Sequence, residues 1–331
     1  MSGSRQFEWL ALFRLLRLPN VFTAWSDVLM GFLVCQGAFP TNIGGLVSLS
    51  LLMGATTGLY LGGMVLNDWF DFEEDQQSRK FRPLPSGKFS LQFAATLGFG
   101  LLVLGMILAI SAAVSWQVLA VRQEAFAAAS IGKTAVLSVT VAAAVLSYNG
   151  LLKKTLVGPV SMGLCRTLNI LMGMSLASLN REYASVATFT YPQLLIATGI
   201  GVYIAGVTWF ARREESRSSR IGLIFGFSVM AIGVLLLALA PSSGPLPPGR
   251  IVGAQYGWLL LLVGGVVGAR CLRAIANPTP AKVQIAIKIA ILSLIWLDAA
   301  IALRVSSFQD ALCIALLIVP ALLIGRAVYS T

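Results

Sequence analysis

The stretch Asn67-Asp68-Trp69-Phe70-Asp71-Phe72-Glu73-Glu74-Asp75 holds five of the thirteen acidic residues of the protein and follows the apolar residues 44–66. If a helix continues through it, the advance of about 100° per residue places one amide and three carboxylates on the same face. These are Asn67, Asp68, Asp71 and Asp75. Like charges at this spacing repel one another, and Mg²⁺, which shares oxygen ligands with phosphate, removes that repulsion. We therefore predict a site for Mg²⁺ and a diphosphate; a solvated acidic helix end is the alternative.

Basic residues follow in the segment Arg79-Lys80-Phe81-Arg82-Pro83-Leu84-Pro85-Ser86-Gly87-Lys88. Its two prolines are predicted to stop the helix, because proline lacks the backbone N–H and clashes with the preceding turn. Guanidinium and ammonium groups bind phosphate oxygens through charge-assisted hydrogen bonds. The adjoining acids and bases therefore predict one composite site for a metal and a phosphate group.

The composition is that of a membrane protein. Of 331 residues, 57% are hydrophobic and 11% are charged, and the mean hydropathy is +0.84. Apolar runs long enough to cross a bilayer recur along the chain, which predicts an all-α polytopic membrane protein. The sequence contains no histidine. Histidine-based catalytic triads, metal sites with histidine ligands and acid–base catalysis by imidazole are therefore excluded. The four cysteines lack metal-ligand spacing and are predicted to pack in the core.

The basic residues follow the topology of the chain. Ten apolar segments are visible, at 20–39, 44–66, 90–114, 132–149, 158–178, 192–211, 220–240, 251–271, 282–303 and 308–328. With the N-terminus inside, seventeen lysines and arginines fall on the inner side and five on the outer side. This asymmetry predicts that the N-terminus and the acidic loops are cytoplasmic, and it explains the net charge of +11 without a nucleic-acid partner. Residues 1–19 are predicted to form an amphipathic lead in the membrane interface.

A second polar stretch begins at Tyr148 and continues through Lys153 and Lys154. Arg166 and Asn169 lie three residues apart on one helical face, inside an apolar segment. A guanidinium at that depth requires a carboxylate, a phosphate or water. A buried structural salt bridge is the alternative to a functional role, and the two lysines are equally compatible with setting topology alone.

Two further acidic features stand out. Asp27 lies in the first apolar segment, where a carboxylate faces the bundle interior or a cavity, in either a functional or a structural role. Glu214 and Glu215 follow the sixth apolar segment and are the only other clustered acids predicted to face the cytoplasm. Because neighbouring residues are about 100° apart on a helix, only one of the two can point into a shared cavity.

The order of these motifs resembles that of the UbiA-type membrane prenyltransferases. Asn67-Asp68-x-x-Asp71-x-x-x-Asp75, followed by Arg82-Pro83-Leu84-Pro85-Ser86-Gly87, is similar to the first signature of that superfamily. A Tyr-and-Lys motif after the fourth segment and a charged motif after the sixth follow the family order. Residues 16–20 and 162–169 are similar to the EboC-like branch. Family members bind a polyprenyl diphosphate through Mg²⁺, ionise it, and pass the allylic carbocation to an acceptor, often an aromatic ring.

The resemblance implies a role for each matching residue. The metal ligands and catalytic residues of the first signature would be Asn67, Asp71 and Asp75. Tyr148 would complete the catalytic set with Lys153, which is one residue out of the family register, or with Lys154. The residues implied to bind the diphosphate or line its cavity are Asp68, Arg82, Lys154, Arg166, Asn169 and Glu215. In the second signature Ala211 and Glu215 replace two aspartates and Ser219 replaces a glycine, which leaves Glu214 and Glu215 as ligands for a second metal.

Together these features predict a single domain over residues 1–331, a bundle of nine or ten transmembrane helices around a central cavity that opens to the cytoplasmic side. The predicted activity is Mg²⁺-dependent transfer of a prenyl group from a polyprenyl diphosphate to a small-molecule acceptor in the lipid bilayer, with no obligate protein partner and no nucleic acid. A transporter of lipids or metabolites is one alternative. A non-catalytic family member acting as an assembly partner is another.

Overall fold

The computed structural model describes residues 2–121, 127–176, 189–212, 218–241 and 253–329, and these residues are almost entirely helical. The helices are α1 (Ser2–Leu15), α2 (Val21–Gln36), α3 (Ile43–Phe70), α4 (Phe72–Ser78), α5 (Leu91–Ser115), α6 (Ala127–Ser147), α7 (Gly158–Gly173), α8 (Tyr191–Ala211), α9 (Arg220–Leu239), α10 (Gly253–Ala276), α11 (Pro280–Val305), α12 (Phe308–Ala315) and α13 (Ile318–Tyr329). A 3₁₀ turn forms at Leu18–Asn20, and π-helical turns form at Trp116–Val121 and Tyr148–Leu152.

Within the described residues, nine helical segments are long and apolar enough to cross a membrane, which confirms the predicted all-α membrane fold. They match nine of the ten apolar segments, and α12 and α13 together form the last of them. The remaining segment contains α7, which has 16 residues and so extends over only about 24 Å. It packs against α2 and α8.

The centre of the bundle is formed by α2 and α11, which pack against each other and are buried along most of their length. In the outer helices α5, α9 and α10, only about a third or less of the residues are buried. This distribution is expected in a bilayer, where the outer surface meets lipid and can remain apolar. The polar side chains Ser26, Asp27, Ser293 and Asp298 of these two helices are buried.

Close approach of α3 and α5 depends on glycine. The spacing of Gly54, Gly58 and Gly62 predicts a small-residue face for helix packing, and the structure shows α5 against that face. A Cβ on Gly62 would lie 2.8 Å from the carbonyl oxygen of Gly98, and one on Gly58 would lie 2.7 Å from that of Leu101. Neither position has room for a side chain. This contact fixes the end of α3, where the acidic stretch begins.

Helical spacing treats the acidic stretch as one continuous helix, but the structure interrupts it at Asp71. α3 ends at Phe70, and Asp71, with φ −90° and ψ 1°, joins it to α4. The spacing of one turn is nevertheless kept, because the N–H of Asp71 donates to the carbonyl of Asn67 at 3.1 Å and the N–H of Asp75 donates to that of Asp71 at 2.8 Å. α4 ends at Ser78, so the helix stops before the prolines predicted to terminate it.

Candidate active site

Arg82 bridges two carboxylates of the acidic stretch. Its Nη1 atom lies 2.7 Å from Oδ2 of Asp75 and 3.5 Å from Oδ1 of Asp68. Both aspartates are buried; Asp75 also pairs with Arg79 at 3.4 Å, and Asp68 pairs with Arg17 at 3.1 Å. Burial raises the pKa of Asp75 above its ordinary value, and the positive charge of Arg82 opposes that rise. We call these five residues the ionic cluster.

Asn67 and Asp71 converge on Lys153, which approaches from the turn after α6. The ammonium of Lys153 forms an ion pair with the Asp71 carboxylate and lies 3.4 Å from Oδ1 of Asn67. Lys154 points elsewhere and pairs at 2.7 Å with Glu74, where both side chains are more than half exposed. The hydrogen bond from Lys154 lowers the pKa of Glu74. Of the two lysines left open by the sequence, the structure places Lys153 at Asn67 and Asp71 and Lys154 at the exposed Glu74.

The π-helical turn Tyr148–Leu152 aligns Tyr148 with Lys153. The N–H of Lys153 donates to the carbonyl of Tyr148 at 2.9 Å, which closes a turn with one residue more than an α-helical turn. The one-residue difference in register between Lys153 and the family motif falls within this turn. The amide of Asn149 holds the turn against α3 by donating to the carbonyl of Gly63 at 2.9 Å. Lys153 consequently faces Asp71 while Tyr148 lines a cavity.

This cavity, of about 90 Å³, lies between α2, α3, α6 and α7. Most of its lining is apolar, and its polar side chains are Thr56, Tyr60, Tyr148, Asn149, Arg166 and Asn169. Tyr148 interacts electrostatically with Arg17 and with Asp71, so it lies where the cavity adjoins the charged groups. The arrangement places a chamber inside the membrane bundle directly beside a group of acids and bases.

Arg166 and Asn169 line the deeper part of this cavity and share a partner in Asp27. The Nε atom of Arg166 lies 2.7 Å from Oδ2 of Asp27, and the Asn169 amide lies 3.3 Å from the same oxygen. The Asn169 carbonyl accepts a hydrogen bond of 2.5 Å from Thr56. The structure therefore contains the buried salt bridge that the sequence left as an alternative for Arg166, and it includes Asp27.

The oxygen atoms of Asn67 and Asp71 fit a hard cation. In the part of the chain that the structure describes, no three His, Cys, Asp or Glu side chains group closely enough to hold a metal by themselves. Mg²⁺, however, commonly uses one or two carboxylates and completes its shell with water and phosphate oxygens. The contacts of Lys153 with both residues show that their oxygens hold a positive charge between them. Asp75 is directed toward Arg79 and Arg82, and its role as a third ligand stays a prediction.

The second predicted motif is only partly covered. Glu214 and Glu215 lie outside the described residues. On either side of them, Arg212 donates to the backbone carbonyls of Lys154 and Thr155 at 3.3 and 3.1 Å, and Ser219 caps α9. The end of α8 thus lies against the turn that carries the two lysines.

Arg17 of the ionic cluster has no predicted role in the site, because its pairing with Asp68 cannot be read from spacing. Arg79 belongs to the basic segment predicted to bind phosphate, but it has no individual predicted role. Arg17 has φ 47° and ψ 44°, a left-handed conformation that is uncommon for a residue with a side chain. Its place in the segment 16–20, which carries part of the family resemblance, is the signal that pointed to it.

Comparison with known proteins identifies the family of this chain. The model of the UbiA prenyltransferase family matches residues 24–295. Digeranylgeranylglyceryl phosphate synthase of Saccharolobus solfataricus is 35% identical over 97 residues, which are 29% of this chain and 33% of the relative. The match thus spans about a third of that relative's length.

Two solved structures share the fold. A structure of digeranylgeranylglyceryl phosphate synthase in membranes has a TM-score of 0.58 at 18% identity, over 91% of this chain and 99% of the other. A UbiA homologue from Archaeoglobus fulgidus bound to DMAPP and Mg²⁺ has a TM-score of 0.52 at 14% identity, over 88% and 98%. With a family match over most of its length and this helical architecture, the chain belongs to the UbiA prenyltransferase family.

Proposed function

We propose that the protein catalyses Mg²⁺-dependent transfer of a prenyl group from a polyprenyl diphosphate to an acceptor within the membrane. The observation that supports this most directly is the convergence of Asn67, Asp71 and Lys153 beside a cavity that Tyr148 lines. Membership in the UbiA family and the DMAPP and Mg²⁺ bound to the Archaeoglobus homologue support the same reading. On the asymmetry of lysine and arginine, we assign this end of the bundle to the cytoplasmic side.

The reaction requires that a C–O bond breaks while negative charge accumulates on the departing diphosphate. Asn67 and Asp71 would hold Mg²⁺, which supplies charge neutralisation for that diphosphate when bound. Lys153 and the arginines of the ionic cluster would bind its remaining oxygens through charge-assisted hydrogen bonds. Because these arginines pair with Asp68 and Asp75 in the structure, those carboxylates hold them in place for the anion.

The cavity would protect the allylic cation until the acceptor attacks. Its largely apolar lining excludes water, and the ring of Tyr148 offers a negative face to a cation. An aromatic ring is one acceptor class. A hydroxyl group is a second acceptor class. It is suggested by the name of the relative that this chain matches over about a third of its length, a digeranylgeranylglyceryl phosphate synthase. The resemblance implies that Arg166 and Asn169 line the diphosphate cavity; because both lie deeper in this cavity than the charged groups, we propose that they face the acceptor together with Tyr148.

Labelled prenyl diphosphates of several lengths, incubated with the detergent-purified protein and with either a phenolic or a glyceryl phosphate acceptor, test this proposal. We expect diphosphate release and a prenylated product only with Mg²⁺, and loss of both in Asp71→Ala. Glu73→Ala is the matched control, because Glu73 lies in the same stretch with its side chain exposed. Full turnover in Asp71→Ala would refute the proposed site.

The same assay separates the alternatives. A transporter or an assembly partner would bind a prenyl diphosphate without releasing diphosphate. Reconstituted vesicles that accumulate the intact labelled compound would identify transport. Binding without either turnover or transport would leave the role of an assembly partner.

A further inference from the structure

Three ionisable side chains meet in the middle of the bundle: Asp27 on α2, Arg166 on α7 and Asp298 on α11. Asp27 and Asp298 are fully buried, and the Arg166 side chain is 11% exposed. If both carboxyl groups were ionised, one guanidinium would face two negative charges. An uncompensated charge inside a membrane protein is strongly unfavourable. The stability of this group therefore depends on how many protons its two carboxyl groups hold.

The hydrogen bonds show that a donor is missing. Asp27 Oδ2 faces the donors of Arg166 and Asn169, while Asp298 Oδ2 accepts a hydrogen bond of 2.5 Å from the hydroxyl of Ser26. The Oδ1 atoms of both aspartates are buried and accept no hydrogen bond from any group that the structure describes. The two carboxyl groups interact electrostatically, and the hydroxyl of Ser26, the residue before Asp27, contacts Asp298 directly. A single proton between them supplies the donor that both lack.

The surroundings differ enough to assign that proton. Asp27 has the positive charge of Arg166 at 2.7 Å and the Asn169 amide as a hydrogen-bond donor, and both favour its ionised form. Asp298 has one hydroxyl donor and lies beside the negative charge of Asp27, which favours its neutral form. We propose that Asp27 and Asp298 share one proton, carried by Asp298, and that the ionised Asp27 thereby positions Arg166 at the cavity wall.

This arrangement leaves the three groups with no net charge. Arg166 keeps a fixed orientation through Asp27, and its remaining N–H groups stay available to the cavity that it lines. Asp27 and Asp298 would act through Arg166 as positioning residues and touch no substrate. This consequence for catalysis rests on the proposed function, whereas the shared proton does not.

Infrared spectroscopy of the purified full-length protein, prepared with and without ¹³C at the aspartate carboxyl groups, tests the shared proton directly. At neutral pH we expect a band from a protonated carboxylic acid that shifts with the label in the wild type and is lost in Asp298→Asn. Absence of a label-sensitive band from the wild-type protein would overturn the proposal. The refuting measurement uses the wild-type protein alone and needs no turnover, so it stands even if prenyl transfer is not observed.

Substitutions then test the assignment and the positioning role. Asn at 298 retains an acceptor for Ser26 and a donor for Asp27, so Asp298→Asn should keep the wild-type Tm and acceptor KM. Asp298→Leu and Asp27→Asn should lower Tm, and Asp27→Asn should raise the acceptor KM more than about tenfold through loss of the Arg166 partner, with the KM for prenyl diphosphate changed less. If Asp298→Asn and Asp27→Asn lowered Tm and raised the acceptor KM equally, the proton would be assigned wrongly. The same conclusion would follow if only Asp27→Asn kept the wild-type Tm and KM.

Discussion

The two adjacent lysines at the end of α6 give a sharp prediction, because the same substitution at neighbouring positions should have very different effects. Lys153 contacts Asp71 and Asn67, and the side chains of Lys153 and Asp71 are each 13% exposed. Lys154 and its partner Glu74 are 69% and 54% exposed. Lys153→Ala removes a cation from a partly desolvated site, whereas Lys154→Ala removes a surface ion pair.

The magnitudes follow from these environments. Removing one preorganised group that stabilises transition-state charge costs about 10²–10³ in kcat, so Lys153→Ala should lose turnover by that factor. An exposed ion pair contributes about 0–1 kcal/mol, equivalent to at most roughly a fivefold change, and Lys154→Ala should remain within that range. Both variants should keep the helical content of the wild type, because neither lysine belongs to the buried core.

Diphosphate release from a labelled prenyl diphosphate, measured at saturating Mg²⁺ with Tm recorded for each variant, is the suitable assay. A matched loss of kcat in both lysine variants would mean that only the summed charge of the loop matters. Wild-type kcat in Lys153→Ala would refute the assignment of Lys153 to the site. In either case the pairing with Asp71 and Asn67 would be structural alone.

Three further predictions concern the surroundings of the site. Arg82→Ala leaves the buried Asp75 with Arg79 as its remaining ion pair and should destabilise the protein by about 1–3 kcal/mol, seen as a lower Tm in detergent. Gly62→Leu forces a side chain against the carbonyl of Gly98 and should cost at least about 1–3 kcal/mol, whereas Gly100→Leu, in open space on the same pair of helices, should leave Tm unchanged. Chelation of Mg²⁺ by EDTA should abolish diphosphate release and leave Tm close to its starting value; release that persists would exclude a metal-dependent reaction.

Much of the architecture follows from local sequence, because apolar length and charge asymmetry are local properties. The acidic stretch and the Tyr-and-Lys motif likewise identify themselves by residue type and spacing. The pairing of Arg17 with Asp68 and of Arg166 with Asp27 could not be read in this way, since each pair joins residues far apart in the chain. Predicting them requires the packing of α2, α3 and α7, which spacing alone does not contain.

The conformation of Asp71 shows the same limit at shorter range. Helical periodicity correctly indicates that Asn67, Asp71 and Asp75 follow one another at single turns. It does not reveal that α3 ends at Phe70, nor that Asp75 then turns toward Arg79 and Arg82 while Asp71 meets Lys153. The division of three similar aspartates into different environments arises from tertiary contacts.

The wider hydrogen-bonded ring between Tyr148 and Lys153 has a consequence for how this scaffold tolerates changes in chain length. A residue inserted into an ordinary α-helix rotates all later side chains by about 100° about the helix axis. Such a rotation would separate the ammonium of Lys153 from the carboxylate of Asp71. Here the extra residue lies within the single π-helical turn Tyr148–Leu152, which the hydrogen bond from Lys153 to Tyr148 closes. Deleting Gly150 should therefore contract the ring and preserve the alignment, while the same deletion within α7 would misorient every side chain after it.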